Sequence, residues 1–372
     1  MKILKLNPDY ENRVFGLDLM RALAILFVVV GHGGFILEKT QTGFPWIRLM
    51  DGVELFFVLS GFLIGGILIK IFMKSPSYGL KEIKSFWIRR WFRTLPNYYL
   101  ILILNIVFVY FGIIKEDFSQ FNWKFFVFLQ NFSWPFTGFF WESWSLSIEE
   151  WFYLLFPLVL FIIFRLLVIF QIDRKKIFLL SIILFLFTPI LLRVFVATKI
   201  NVDHFWLHAK IFKVVVYRLD GIALGLLASF IKHWYPALWF KSRQINFLFG
   251  IFISYWVLYT EWPPNDFFTK AFKISIISFG CFLLLPMFDS IKTAPRPIVK
   301  IFTHISLISY SMYLINLALV ATVIRDHFSL SSPLEAWTAY FIFWLVVLLA
   351  STLIYKYFEK PFTLLRDRFS SN

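Results

Sequence analysis

Ten apolar runs, each near twenty residues long, constrain the fold of this chain more than any other feature. A helix of about that length spans the hydrocarbon core of a bilayer, which is roughly 30 Å thick. With 59% hydrophobic residues among 372, the chain has more apolar surface than a soluble protein could bury. We therefore predict an all-α integral membrane protein. It is a polytopic bundle of about ten transmembrane helices in one domain, 1–372, with no appended soluble domain. The predicted spans are 17–37, 50–72, 96–114, 144–168, 177–197, 211–231, 245–260, 271–289, 303–323 and 336–356.

Lysine and arginine predict how these spans are oriented. Cytoplasmic loops of membrane proteins carry an excess of both residues. If the N-terminus is cytoplasmic, the loops on its side hold 24 of the 37 Lys and Arg residues, and the opposite loops hold 11. We therefore predict that both termini are cytoplasmic. The aromatic stretch 123–140 fits a re-entrant or interfacial segment, which leaves the number of spans open between nine and eleven.

Composition excludes several other classes of protein. The net charge of +15 follows from the same loop bias, so we expect no nucleic-acid partner. The single cysteine, Cys281, excludes an intramolecular disulfide and a cysteine metal cluster, and no set of metal ligands is apparent. We do not expect the N-terminus to be a cleavable signal peptide, because Arg21 interrupts its apolar run.

The first span carries Asp18, Arg21 and His32 among apolar residues. Arg21 and His32 are eleven positions apart, which places them on one helix face about 16 Å apart along the axis. Charged and titratable side chains within a span usually face the bundle interior or a water-filled path and indicate function. The alternative is that Arg21 reaches the headgroups and His32 bonds a neighbouring helix.

A second group of cations precedes the third span, on the predicted cytoplasmic side. Arg89, Arg90 and Arg93 lie within five residues, and Arg90 and Arg93 share a helix face. Guanidinium groups suit phosphates. The alternative is an anchor beside anionic lipid headgroups.

Further polar residues mark the second, fourth and sixth spans. Glycines at 61, 65 and 66 of the second span predict close helix packing. Ser147 and Glu149 lie where the fourth span begins, and a carboxylate buried there could serve as an acid or base. The alternative is a solvated helix start. Arg218 and Asp220 lie within the sixth span. A structural ion pair, with each other or with Asp18 or Arg21, is the alternative to ligand binding.

These stretches, in this order, resemble the acyltransferase 3 family of integral membrane acyltransferases over nearly the whole chain. Arg21 and His32 match the family's arginine and histidine separated by ten residues. The segment 56–64 matches its second helix. Its RxxR motif followed by proline and tyrosine matches Arg90, Arg93, Pro96 and Tyr98 or Tyr99. The family's fourth motif is similar to WSLSIEEWFYLLFP of this chain, in which Glu149 is the motif glutamate. Its later motifs are similar to YRLDGIALG, ISYSMYLI and FEKP.

The chain also departs from the family pattern. The usual Asp-Gly-Leu-Arg is Asp18, Leu19, Met20 and Arg21 here. The histidine common after the YLI motif is Asn316, so any role of that histidine is absent. Some members append a secreted esterase-like domain, which we do not expect here. Whether a separate partner protein passes the acyl group onward is left open.

The resemblance implies transfer of an acyl group, most often acetyl from acetyl-CoA, to a hydroxyl of an envelope polysaccharide or lipopolysaccharide O-antigen sugar, in the bacterial inner membrane. Acyl-CoA is then a cytoplasmic donor substrate, and no cofactor is permanently bound. His32 is expected to be the general base or an acyl carrier, with Glu149 and Arg21 as further catalytic residues. The residues expected to bind substrate or donor are Arg90, Arg93, Asp18, Tyr98, Ser147, Arg218 and Asp220.

Two other functions fit a polytopic bundle with buried charges. A transporter or flippase of a glycolipid or acyl intermediate would usually show inverted repeats, and no repeat stands out. A structural or sensor bundle would not need the Arg21–His32 stripe, the arginine cluster and Glu149 together. The glycan, its hydroxyl, the acyl chain and the choice between CoA and a lipid-borne donor are not predicted.

Overall fold

The computed structural model describes residues 6, 13–38, 50–136, 138–328 and 330–369, and over these ranges the chain is helical with no β-strand. The first helices are α1 (Phe15–Glu38), α2 (Gly52–Lys74), α3 (Leu80–Tyr110), α4 (Ser143–Leu167), α5 (Arg174–Ala197), α6 (His204–Leu207) and α7 (Asp220–Trp234). The others are α8 (Pro236–Lys241), α9 (Arg243–Tyr259), α10 (Phe267–Ala271), α11 (Lys273–Ser290), α12 (Arg296–Ile315), α13 (Thr322–His327), α14 (Pro333–Ile354) and α15 (Lys360–Phe369). π-helical turns occupy His208–Phe212, Asn316–Ala321 and Tyr355–Glu359.

Eight helical segments of the described chain are long and apolar enough to cross a membrane. They confirm the prediction of an all-α polytopic membrane protein. The predicted span 245–260 corresponds to α9, which has 17 residues. The predicted span 211–231 is wrong in its first part, because α7 has 15 residues and begins only at Asp220, after short π and 3-10 turns. The count of ten and the cytoplasmic termini remain predictions. The first predicted outer loop, 38–48, lies almost wholly outside the described residues.

The aromatic stretch 123–140 forms no spanning helix. It contains the 3-10 turn Trp123–Val127 and irregular backbone, with the Phe125 side chain buried. Trp151 of α4 donates to the carbonyl of Phe128, and Asn131 donates to the carbonyl of Lys213. Irregular backbone occurs within the hydrocarbon region of a bilayer only where other parts of the protein shield it from lipid, and these contacts provide that shielding.

Glycines set the close contact between α2 and α7. A Cβ on Gly61 would overlap the carbonyl of Ile222, and one on Gly225 would overlap the carbonyl of Val58. The two backbones therefore touch, as predicted for Gly61, and Gly65 likewise packs on Ser229. Gly66 is different, because open space lies beside it.

Two large apolar clusters form on either side of α2. One is built mainly from α1, α3, α12 and α14 together with the aromatic stretch. The other is built from α2, α4, α5 and α7. Polar residues of α1, α3, α4 and α12 converge between them, which is where the candidate site lies.

Candidate active site

A cavity of ≈ 460 Å³ lies between α1, α2, α3, α4 and α12. Its lining on α2 runs from Val53 to Ile67, about 21 Å along the helix. The polar residues that line it are Arg13, Asp18, Arg21, Ser60, Arg90, Arg93, Thr94, Ser145, Glu149, Tyr153, Ser309, Tyr310 and Tyr313. Five of the candidate site residues, from three separate motifs, therefore share one cavity. We call it the arginine cavity.

The arginine cavity is positively charged, because four arginines and two carboxylates line it. Asp18 is satisfied within the protein, since it accepts hydrogen bonds from Arg13 and from Ser306. The guanidinium groups of Arg21, Arg90 and Arg93 form no hydrogen bond or salt bridge with any residue that the structure describes, although that of Arg90 lies over the Phe86 ring, 5.9 Å from its centroid. Guanidinium groups without such bonds remain able to bind phosphate oxygens, which are among their preferred ligands.

Glu149 reaches the same cavity from α4. The hydroxyl of Tyr153 donates to its carboxylate over 3.2 Å, and Ser60 of α2 contacts it as well. Arg93 and Arg21 are its electrostatic partners. Two hydroxyls thus hold the carboxylate on the wall that the arginines face, where it can orient a bound ligand.

His32 lies beyond one end of the arginine cavity and does not line it. It is half-buried, and its Nδ1 is 2.7 Å from Oδ1 of Asn316. The amide nitrogen of Asn316 donates to the carbonyls of Met312 and Tyr313, at 2.9 and 2.7 Å. Oδ1 is therefore the acceptor, and Nδ1 of His32 carries the proton. In the neutral ring this leaves the lone pair on Nε2, the form that a general base or nucleophile requires.

A π-helical turn directs Asn316 toward His32. α12 gives way to the turn Asn316–Ala321, and Tyr313, one turn earlier, lines the arginine cavity. Single π-turns within helices often mark functional sites. The same helix therefore carries a cavity wall and the partner of His32, so that the histidine lies about one turn past the end of the cavity.

Glu142 stabilises this turn. One of its carboxylate oxygens accepts the backbone N–H groups of Leu317 and Ala318, at 3.0 and 2.7 Å. The hydroxyl of Tyr313 donates to its backbone carbonyl. Glu142 is 1% exposed, and burial raises the pKa of its carboxyl to about 8. Sequence reasoning missed this role, and the only signal for it was the position of Glu142 just ahead of the fourth motif.

Tyr98 and Ser147, which were predicted to bind substrate or donor, do not line the arginine cavity. Tyr98 is fully buried, and its hydroxyl donates to the carbonyl of Phe125 over 2.8 Å. Ser147 accepts from Gln130 over 2.6 Å and donates to the carbonyl of Ser143. Both side chains hold the aromatic stretch against the bundle.

Arg218 and Asp220 also lie outside the arginine cavity. Arg218 pairs with Glu54, and Asp220 pairs with Arg193 at 2.7 Å, with all four side chains buried. The partners predicted from sequence, each other or Asp18 or Arg21, were therefore wrong. The alternative of structural ion pairs accounts for these contacts, because each charge is neutralised within the bundle.

Residues 14–356 match the family described as an acyltransferase domain. A "Putative O-acetyltransferase" of Staphylococcus aureus (strain COL) is 28% identical over 392 residues, which cover 93% of this chain and 57% of that protein. A peptidoglycan O-acetyltransferase of Listeria monocytogenes is 34% identical over 179 residues, which cover 44% of this chain and 26% of that protein. The chain thus spans little more than half of the staphylococcal relative. No solved structure matches it.

Proposed function

This chain belongs to the acyltransferase family whose domain covers residues 14–356, and we propose that it is a membrane O-acetyltransferase of the bacterial cell envelope. In this proposal acetyl-CoA is the donor and a sugar hydroxyl is the acceptor. The observation that carries it is the orientation of His32, whose Nδ1 proton is held by Asn316 while Nε2 keeps its lone pair.

The arginine cavity suits the donor. Arg21, Arg90 and Arg93 offer guanidinium groups that make no hydrogen bond or salt bridge to the described residues, and CoA carries phosphates that such groups bind. The cavity follows α2 for about 21 Å toward the end where His32 lies. We propose that the phosphates bind at the arginines and that the thioester arm follows α2 toward His32.

His32 is proposed to act as the general base. Its Nε2 removes the proton from the acceptor hydroxyl, and the oxygen attacks the thioester carbonyl. The new C–O bond forms, the C–S bond breaks, and the imidazolium returns its proton to the leaving thiolate of CoA. Nδ1 stays bonded to Asn316 throughout, which keeps the ring in position. Glu149 orients the donor within the cavity, and Arg21 stabilises negative charge there.

A second route keeps the same residues but makes His32 an acyl carrier. Nε2 would then attack the thioester itself and pass the acetyl group to the hydroxyl in a second step. Labelled acetyl-CoA supplied without acceptor distinguishes the two routes, because only an acyl carrier retains label on the His32 peptide.

The acceptor is proposed to be a cell-envelope polysaccharide or a lipopolysaccharide O-antigen sugar at the inner membrane. The name of the Listeria relative favours peptidoglycan as a second candidate acceptor. Acetyl transfer to each glycan in its de-O-acetylated form separates the candidates.

The test uses purified protein in lipid nanodiscs with labelled acetyl-CoA and each glycan in turn. The proposal predicts label on one glycan and release of an equal amount of free CoA. A transporter or flippase would leave the thioester intact, and that result would overturn the proposal.

A further inference from the structure

A second cavity, of ≈ 650 Å³, lies at the end of the bundle where α2 begins. Its walls come from the start of α2, the segment 204–212, the end of α9 with the loop after it, and the start of α11. On α11 the lining runs from Lys273 to Cys281, about 12 Å into the bundle. A cavity of this size is large enough for an organic ligand of several rings.

The second cavity and the arginine cavity both reach the start of α2, which packs on the helix that carries His32. Asp51 lines the second cavity, and Val53, two residues later, lines the arginine cavity. Between them, Gly52 packs directly on α1 at Ala24 and Val28. Val28 is one helical turn before His32. The start of α2 therefore lies between the proposed donor cavity and the second cavity, and it packs on α1 one helical turn before the proposed base.

The chemistry of the second cavity differs from that of the arginine cavity. Among the residues that the structure describes, no arginine lines it. The polar side chains of this described lining are two carboxylates, two imidazoles, two hydroxyls and one lysine, namely Asp51, Glu261, His204, His208, Ser254, Thr260 and Lys273. Such a mixture offers hydrogen-bond acceptors and donors with little net charge. It suits a ligand rich in hydroxyl groups and gives no preference for phosphate.

Trp262 adds an apolar surface to this lining. Its indole N–H donates to the carbonyl of Val257 over 3.0 Å, which fixes the orientation of the ring. A ring held in this way presents a flat face on which the C–H side of a pyranose can pack, while carboxylates beside it accept the sugar hydroxyls. Glu261, the preceding residue, lines the same cavity.

We propose that the second cavity binds the saccharide that accepts the acyl group. The inference rests on the proposed function, and it adds the place where the acceptor binds. The donor and the acceptor would then approach His32 from two cavities on opposite sides of the start of α2.

Kinetics of variants separate this proposal from the function itself. In Trp262→Ala and Glu261→Gln we expect the KM for the glycan to rise about tenfold, with the KM for acetyl-CoA unchanged. Trp206→Ala is the matched control, because Trp206 is a partly exposed tryptophan of the segment 204–212 that does not line the cavity. An unchanged glycan KM in both cavity variants would overturn the proposal while leaving the acetyltransferase function intact.

A binding measurement that does not depend on activity completes the test. Thr260 lines the cavity and is exposed, and Cys281 is the only native cysteine. In a Thr260→Cys, Cys281→Ser protein we expect millimolar de-O-acetylated glycan fragments to slow thiol labelling, and added Trp262→Ala to abolish this protection. If neither the O-antigen nor the peptidoglycan fragments slow labelling, the cavity is not the acceptor site. The fragments could instead slow thiol labelling while the protein consumes no thioester in the acetyl-CoA assay. In that case the proposed function fails, and the cavity remains a saccharide-binding site.

Discussion

His32 donates its Nδ1 proton to Asn316 across 2.7 Å, and this hydrogen bond joins the first helix to the π-turn that follows α12. The hydrogen bond fixes the proton on Nδ1. The π-turn that positions Asn316 thereby leaves Nε2 free to accept a proton in the proposed reaction.

Replacing Asn316 should release the ring of His32. In Asn316→Ala the Nδ1 proton loses its acceptor, and loss of one hydrogen bond predicts about tenfold lower turnover with the KM for acetyl-CoA unchanged. ¹⁵N NMR of histidine-labelled protein reports the tautomer, with His32→Asn used to assign the signal among six histidines. A proton found on Nε2 of neutral His32 in the wild type would contradict the geometry.

Glu142 should act mainly in its protonated form. Its pKa in the fold is about 8 because of burial, against 4.5 for an ordinary glutamate. The folded state therefore keeps a proton that the unfolded chain releases, and the stability contributed by this group falls as the pH rises from about 4.5 to 8.

Two substitutions of Glu142 test this linkage. Glu142→Gln mimics the protonated acid, so it should keep activity at pH 7 and lack this part of the decline in Tm with pH. Glu142→Ala leaves two backbone N–H groups without their acceptor, which should cost about 1–3 kcal/mol and reduce turnover. Parallel Tm–pH curves for the wild type and Glu142→Gln would show that the carboxyl is ionised throughout.

The arginines of α3 should bind the donor. In the Arg90→Ala, Arg93→Ala variant we expect the KM for acetyl-CoA to rise about tenfold to a hundredfold, because a charge-assisted contact contributes about 1.5–3 kcal/mol. Arg89→Ala is the control, since Arg89 lies in the same cluster but does not line the cavity. An equal effect of both variants would mean that the cluster only anchors the helix at the membrane surface.

The orientation predicted from the loop charges can be measured with two engineered cysteines. Ser75 follows α2, and Asn265 lies in the loop between α9 and α11. In a Cys281→Ser background, an impermeant maleimide should label Ser75→Cys only from the cytoplasm and Asn265→Cys only from the opposite side. Labelling of both residues from one side would refute the predicted orientation.

The charged residues of the arginine cavity could be predicted from the sequence, whereas the partners of the other buried charges and the role of Asn316 could not. Asp18, Arg21, Arg90, Arg93 and Glu149 could be found because charged groups within or beside apolar spans are costly without a function or a partner. Their convergence could not be derived from spacing alone, since it depends on how five helices pack. The motif order of the resembling family supplied the missing constraint.

The partners of the buried charges were not predictable in the same way. Arg193 was not among the candidate site residues, yet it is buried and pairs with Asp220. The partner of Arg218 is Glu54, 164 positions away. Such pairs are set by the crossing of α2, α5 and α7, about which single-helix periodicity gives no information.

Asn316 was the least predictable part of the site. As a departure from the family's histidine it indicated the loss of a role. The structure instead gives it a hydrogen bond to His32, because a π-turn shifts the helix register at that residue. No residue composition or spacing in the sequence indicates a π-turn at this position.

The most direct test of the account is acetyl transfer by His32→Asn. Asparagine keeps a polar group at this position but cannot act as a base, so turnover should fall about a hundredfold to ten-thousandfold. The variant should still insert into the membrane and bind acetyl-CoA, since His32 does not line the arginine cavity. His304→Asn, at a half-buried histidine that contacts Thr352, serves as the control and should retain activity. If His32→Asn keeps more than about a tenth of wild-type turnover, His32 is not the base, and the central claim is wrong.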